Sequence, residues 1–314
     1  MKRLEEYAWY HKHGDSAANP RVLAAVADIE QYSTQDRADL CYFYSLTYCI
    51  PSAMRIMQDR DKILDHPEQT ASSLRPHLIF QSDRRYVACN NLFERALKYW
   101  RDELSHNAPA LSRTLVGDSG ELSFNKAIPA IEKFPSFGRY AAYLYAETIE
   151  TLMDLPLSGD FSHVEYDSGR VFSAGLLHLY RMDSSAEHFE KKGVSSLIGG
   201  EEVLDGYLTR LMHYLKRELG PVSIYQVETS LCAYRKFFKG TRYNGYYADR
   251  QLEEILKMAP RVDSEIISTV FEARAKALPE AYRGEDGGWS GIRKELKTYY
   301  QTNQEINGCK INSR

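Results

Sequence analysis

The sequence predicts an all-α protein, and three observations carry that prediction. Apolar residues recur three and four positions apart through most of the 314 residues. Two-residue alternation is confined to scraps near 78–88 and 164–172. Proline and glycine punctuate the helical pattern and set off no repeated strands. Helices of ordinary length then number roughly ten to thirteen.

The elements follow in order. Leu40, Phe43, Tyr44, Thr47 and Tyr48 make one helical stripe. Pro51 lies inside the continuing pattern, so it should kink or restart that helix. Leu92, Phe93, Ala96, Leu97 and Trp100 make a second stripe, and Val203 to Leu215 a third. Residues 105–125, with Asn107, Pro109, Gly117 and Gly120, read as a loop. Gly199-Gly200 and Gly220-Pro221 read as breaks. No linker is long enough to force separate domains. One helical domain over 1–300 is expected, with a polar tail over 301–314. If it divides, the loops at 105–125 and 183–200 are its hinges, giving lobes of about 1–120 and 121–300.

Composition narrows the function. With 43% hydrophobic and 26% charged residues, the chain is neither disordered nor fibrous. No apolar run is long enough for a membrane span, and the charged start leads into no signal-peptide core. Five cysteines without a Cys-x-x-Cys pair argue against a disulfide framework, a zinc finger or an iron–sulfur cluster. A reducing, intracellular compartment fits. The net charge of −3 means that any DNA contact must come from a local patch. Tyrosine is abundant, at 23 residues. It packs half-buried helices, and it also stacks on bases.

The most informative stretch is 134–163. Phe134-Pro135-Ser136-Phe137-Gly138 makes a tight turn, and Arg139 opens a helix running to about Met153. Backbone N–H groups at such a helix start form an anion site suited to phosphate. Ala141 and Ala142 allow close helix packing. This stretch resembles the helix-hairpin-helix of DNA glycosylases, with Ser136 where that hairpin has its first glycine and Ala141 where it has threonine. In that superfamily a catalytic aspartate follows the hairpin by about one helix. Asp160 stands 22 residues after Gly138, in the sequence Asp160-Phe161-Ser162-His163-Val164. The lysine nucleophile of bifunctional glycosylases has no clear counterpart.

Two further stretches extend the match. One is Tyr42 to Arg55, including Tyr44, Tyr48 and Cys49. The other is Glu228-Thr229-Ser230-Leu231-Cys232-Ala233-Tyr234-Arg235-Lys236 with Gly240 to Asp249, including Arg242, Tyr243 and Tyr246. With Gly138-Arg139-Tyr140-Ala141-Ala142-Tyr143, these resemble the phage α-glutamyl/putrescinyl thymine pyrophosphorylases, or amino acid:DNA transferases, over about residues 30–260.

That resemblance implies DNA thymine hypermodification in the cytoplasm of an infected bacterial host. A kinase pyrophosphorylates 5-hydroxymethyluracil in DNA, and the enzyme replaces the pyrophosphate with a free amino acid or a polyamine. The departing group calls for cations, for which Arg55, Arg139, Lys236 and Arg242 are candidates. Arg55 stands out on an otherwise apolar stretch, where an ion-paired structural arginine is the plain alternative. Asp160 is the candidate base for the incoming ammonium, with helix capping as its alternative. Tyr44, Tyr48, Tyr140 or Tyr246 would stack a flipped base. Glu228 and Cys232 share a helix face. A thiolate at Cys49 or Cys232 could add to the pyrimidine, although buried cysteine is usually inert. His163, Tyr243 and Asp249 complete the candidate contacts. No cofactor is required by the pattern. Mg²⁺ suits a pyrophosphate, but no acidic cluster calls for it. A base-excising glycosylase and a non-catalytic DNA-binding protein remain the alternatives.

Overall fold

The computed structural model describes residues 2–14, 16, 18–89, 91–107, 124–155, 164, 166–167, 169–239, 241–242, 245–278 and 282. Among them the chain is helical and contains no strand. The first helices are α1 (Lys2–His13), α2 (Ala18–Ile29), α3 (Thr34–Thr47) and α4 (Ile50–Gln58). Then come α5 (Arg60–Asp65), α6 (Pro67–Leu74), α7 (Leu92–Tyr99), α8 (Phe124–Ile131) and α9 (Arg139–Leu152). The rest are α10 (Arg170–Leu179), α11 (Asp183–Lys192), α12 (Gly200–Leu219), α13 (Ile224–Phe238), α14 (Tyr246–Met258) and α15 (Ser264–Ala277). These fifteen exceed the expected number partly because breaks at Asp59 and His66 divide one helical run into α4, α5 and α6. Residues 82–88, one of the alternating scraps, form a 3₁₀ segment. Residues 183–192, expected as loop, form α11, opening with Asp183-Ser184-Ser185. The loop expected at 105–125 falls mostly outside the described residues.

The chain divides into two compact units. One is drawn from 1–17 and 159–249, the other from 18–158 and 250–283. In the first, α10 packs against α11, α12 and α13, and α1 lies against α12 and α13. Gly175 permits the α10–α13 contact: a Cβ there would sit 2.7 Å from the Leu231 carbonyl oxygen. Tyr7 fixes α1, its hydroxyl meeting Ser230 Oγ at 2.6 Å. In the second unit, α9 packs on α3, α2 and α8, and α15 runs along α2 and also touches α4. Ala141 and Ala142 are fully buried in α9, which lets it approach its neighbours closely.

Local signals set the helix ends. Ser33 and Asp36 form a reciprocal capping box at the start of α3. Pro51 stands in the first turn of α4, where its missing N–H leaves no bond unmade. The helix therefore stops and restarts. Tyr48 closes α3 in the left-handed region at φ 53°, unfavourable for a tyrosine. Gly199 and Gly220 flank α12, as their sequence pattern predicts.

The turn between α8 and α9 contains a second strained residue. Ser136 has φ 68°, a backbone conformation that glycine adopts freely. Its carbonyl oxygen accepts from Arg84 Nη1 at 3.1 Å and Tyr86 Oη at 2.8 Å, which pins the turn. Its own hydroxyl is buried and has no partner among the described residues. Ser136→Gly removes the strain and the unpaired hydroxyl and costs only chain entropy. It should stabilise the protein by about 1 kcal/mol. Urea unfolding checks this, and a loss of stability would contradict it.

Candidate functional site

Two groups of predicted residues come together, one in each unit. In the second unit, Tyr44, Tyr48 and Cys49 surround the α3–α4 break. Tyr44 is fully buried, and its hydroxyl has no hydrogen-bond partner among the described residues. Its ring meets Tyr48 edge-on at 5.6 Å, and Tyr48 meets Tyr140 at 6.1 Å. These three rings run from the core at Tyr44 to the surface at Tyr140, which is 43% exposed.

Sequence reasoning missed the carboxyl beside them. Glu254 lies on the face of α14 that carries Gln251 and Met258, three positions before it and four after. Gln251 bonds Asn19 of α2, and Met258 Sδ accepts from Ser52 Oγ of α4 at 3.5 Å. That face therefore points into the unit, and Glu254 is 6% exposed. Burial pushes its carboxyl up to about 8, with Arg250 and Lys257 pulling down and Glu253 pushing up. No hydrogen bond to its carboxyl is found among the described residues, and it forms no ion pair there. Burial also drives the Tyr44 phenol and the Cys49 thiol upward, and the charge of Glu254 reaches both. Glu147 of α9 acts on Tyr44 as well. Glu147 and Glu150 are buried in a helix lined by Ala141, Ala142, Tyr143, Leu144, Tyr145 and Ile149. A helix apolar all round is an interior helix, which is the signal that would have found them.

In the first unit, Glu228, Cys232 and Lys236 lie on one face of α13, four residues apart. Cys232 Sγ meets Glu228 Oε1 at 3.7 Å. Part of Cys232 reaches the surface, yet burial pushes its thiol up, and Glu228 adds to that. Lys236 and Arg242 act in the opposite direction, so both cations face this thiol. The Arg242 guanidinium lies 4.5 Å from the Tyr246 ring centroid and 5.0 Å from that of Tyr247, and it bonds the Tyr247 hydroxyl. Asp249 is buried in the first turn of α14. With both Cys49 and Cys232 held as thiols, neither presents the thiolate that addition to a base needs.

The remaining candidates separate. Arg55 Nη2 pairs with Asp59 at 2.8 Å, one turn on in α4. Burial raises the Asp59 carboxyl, but hydrogen bonds from Lys62 and Arg55 outweigh it and hold it low. Gly138 is the N-cap of α9, followed by half-buried Arg139. Its φ of −95° suits any residue, and a Cβ would meet nothing within 4 Å. Neither conformation nor packing demands glycine here; its effect is to leave the helix N-terminus open. Asp160, His163 and Tyr243 lie outside the described residues. Among the described residues, no three His, Cys, Asp or Glu side chains are placed to hold a metal ion, and no helix could cross a membrane.

The sequence profile of the family described as amino acid:DNA transferase matches residues 43–243, more than half of the chain. The chain belongs to the amino acid:DNA transferase family. A search of curated proteins finds no match.

The Glu254 carboxyl makes stability depend on pH. Its folded value, near 8, lies above the unfolded 4.5, so the native state retains a proton that the unfolded chain releases. This contribution is complete below the unfolded value and is lost as pH rises towards the folded one. Glu254→Gln removes the loss. Relative to the wild type, its gain should be small at pH 5 and reach roughly 3 kcal/mol at pH 7. Chemical denaturation across that range checks this; a constant gap would contradict it.

Proposed function

We propose that the protein completes a thymine hypermodification in phage DNA. It joins the amine of a free amino acid to the 5-methylene carbon of a pyrophosphorylated 5-hydroxymethyluracil. The carbon–oxygen bond to pyrophosphate breaks and its electron pair leaves with that group. The nitrogen lone pair forms the new carbon–nitrogen bond, and the nitrogen gives up a proton. Membership of the amino acid:DNA transferase family carries this reading. On this reading the protein acts in the host cytoplasm, after a kinase that supplies the pyrophosphorylated base.

The geometry supports distinct roles. Lys236 and Arg242 provide cations for the departing pyrophosphate. Arginine binds phosphoryl oxygens in a fork, and stacking on Tyr246 and Tyr247 orients that fork. Pyrophosphate brings its own affinity for Mg²⁺. The open N-terminus of α9 at Gly138, with Arg139 and Tyr140, suits a DNA backbone phosphate in the manner of a helix-hairpin-helix. Asp160 and Arg55 stay as further candidates, for amine activation and anion binding.

The test is incubation with 5-pyrophosphoryloxymethyluracil DNA and a pool of amino acids and polyamines, then nucleoside mass spectrometry. The expected result is an amino acid adduct with release of pyrophosphate. Arg242→Ala should lower kcat/KM about tenfold or more, in line with one lost charge-assisted bond. Intact pyrophosphorylated DNA would contradict the reading, and abasic sites would replace it with a glycosylase. Gly138→Ala should leave stability within about 1 kcal/mol, since the entropy gained from alanine is offset by its poorer N-capping, while weakening DNA binding several-fold. Unchanged DNA affinity in a filter-binding titration would remove the α9 terminus from the DNA contact.

A further inference from the structure

The α3–α4 break carries more than a stack of tyrosines. Gln81 donates its backbone N–H to the Thr47 carbonyl, the last residue of α3, at 2.8 Å. Its side-chain oxygen accepts from Arg250 Nη2 at 2.7 Å. The Arg250 guanidinium is thereby tethered to the end of α3. Glu254 stands one turn further along α14 and acts on Tyr44 and Cys49 at the same end. Arg250 and Glu254 have the spacing at which a helix ordinarily forms an ion pair. They form none. Among the described residues, Arg250 is thus held by Gln81 but has no counter-charge, Glu254 has no cation, and the buried Tyr44 hydroxyl has no partner, while Arg250 acts on Glu254 and Glu254 on Tyr44. A buried polar group without a partner costs free energy, and a ligand that completes all three recovers it.

We infer that Arg250, Glu254 and Tyr44 form the binding site for a free α-amino acid, with its carboxylate on Arg250 and its ammonium on Glu254 and Tyr44. The two charged ends of the ligand match two side chains one helical turn apart. A diamine leaves the guanidinium unmatched, and a simple carboxylic acid leaves the glutamate unmatched. The inference rests on the transferase reading for what the amino acid is used for, not for its binding. Glu254 lies beyond the residues that the family profile matches, so family membership alone does not assign it. The site also gives the bound ammonium a partner that can take its proton. Glu254 carries a proton in the free protein; binding of the ammonium displaces that proton to solvent, and the carboxylate so formed then takes one proton from the ammonium, which frees the nitrogen lone pair for attack.

Calorimetry on the full chain without DNA tests this, using glycine, L-serine and L-glutamate, with methylamine, acetate and putrescine as comparisons. At least one amino acid should bind, and every comparison compound at least tenfold more weakly. Glu254→Gln should weaken amino acid binding tenfold or more in a protein whose melting is undiminished. Arg250→Gln should do the same for amino acids and leave methylamine unchanged. Tyr44→Phe should weaken them several-fold. No binding by any of the three amino acids, equal binding of putrescine, or unchanged affinity in Glu254→Gln would overturn the site. The transfer assay separates this from the broader reading. Adduct formation as fast in Glu254→Gln as in the wild type sinks the site and keeps the transferase. Glu254-dependent amino acid binding in a protein that forms no adduct keeps the site and sinks the transferase.

Discussion

A buried carboxyl that meets no cation among the described residues governs the second unit. Glu254 stands on the inward face of α14, between the contacts of Gln251 with α2 and Met258 with α4. Those contacts fix the face, so the carboxyl cannot turn outward without undoing them. Taking a carboxylate out of water is costly, and the cost appears as a proton held well above the usual carboxylate range. The same burial removes water from the Tyr44 hydroxyl. Such an arrangement lowers stability and is expected where function requires it.

The surrounding architecture keeps that arrangement in place. Proline in the first turn of α4 forces α3 to end at Thr47, and the chain turns through Tyr48 in a left-handed conformation. This sets the Tyr48 ring between Tyr44 and Tyr140 and presents the Thr47 carbonyl to Gln81. A break in one helix thus creates the row of rings and the tether for Arg250. In the first unit the logic differs. There the cations Lys236 and Arg242 face a protonated thiol, and tyrosine rings hold the guanidinium in position. One unit presents an acid and the other a positive cluster.

Much of this was legible in the sequence, and the parts that were not have physical reasons. The helical class follows from the spacing of apolar residues, and the restart at Pro51 from a missing N–H. The helix start at Gly138 and Arg139 was legible because a turn before a helix has a composition of its own. Glu254 was not. It sits in the run Glu253-Glu254-Ile255-Leu256-Lys257, where a solvated charge and a buried one look alike, and only tertiary contacts choose the face. For Arg55 the sequence left both an anion-binding role and an ion-paired structural one open, and the structure pairs it with Asp59 one turn on. The 183–192 segment looked like a loop because serine and aspartate favour turns, but the same residues also start helices.

The most direct measurement is infrared difference spectroscopy of the Glu254 carboxyl, comparing wild type with Glu254→Gln at pH 7. The account predicts a protonated-carboxyl band in the free protein that is absent from the variant and gives way to a carboxylate band when a bound amino acid supplies a cation. A carboxylate band in the free protein, unchanged by ligand, would contradict it.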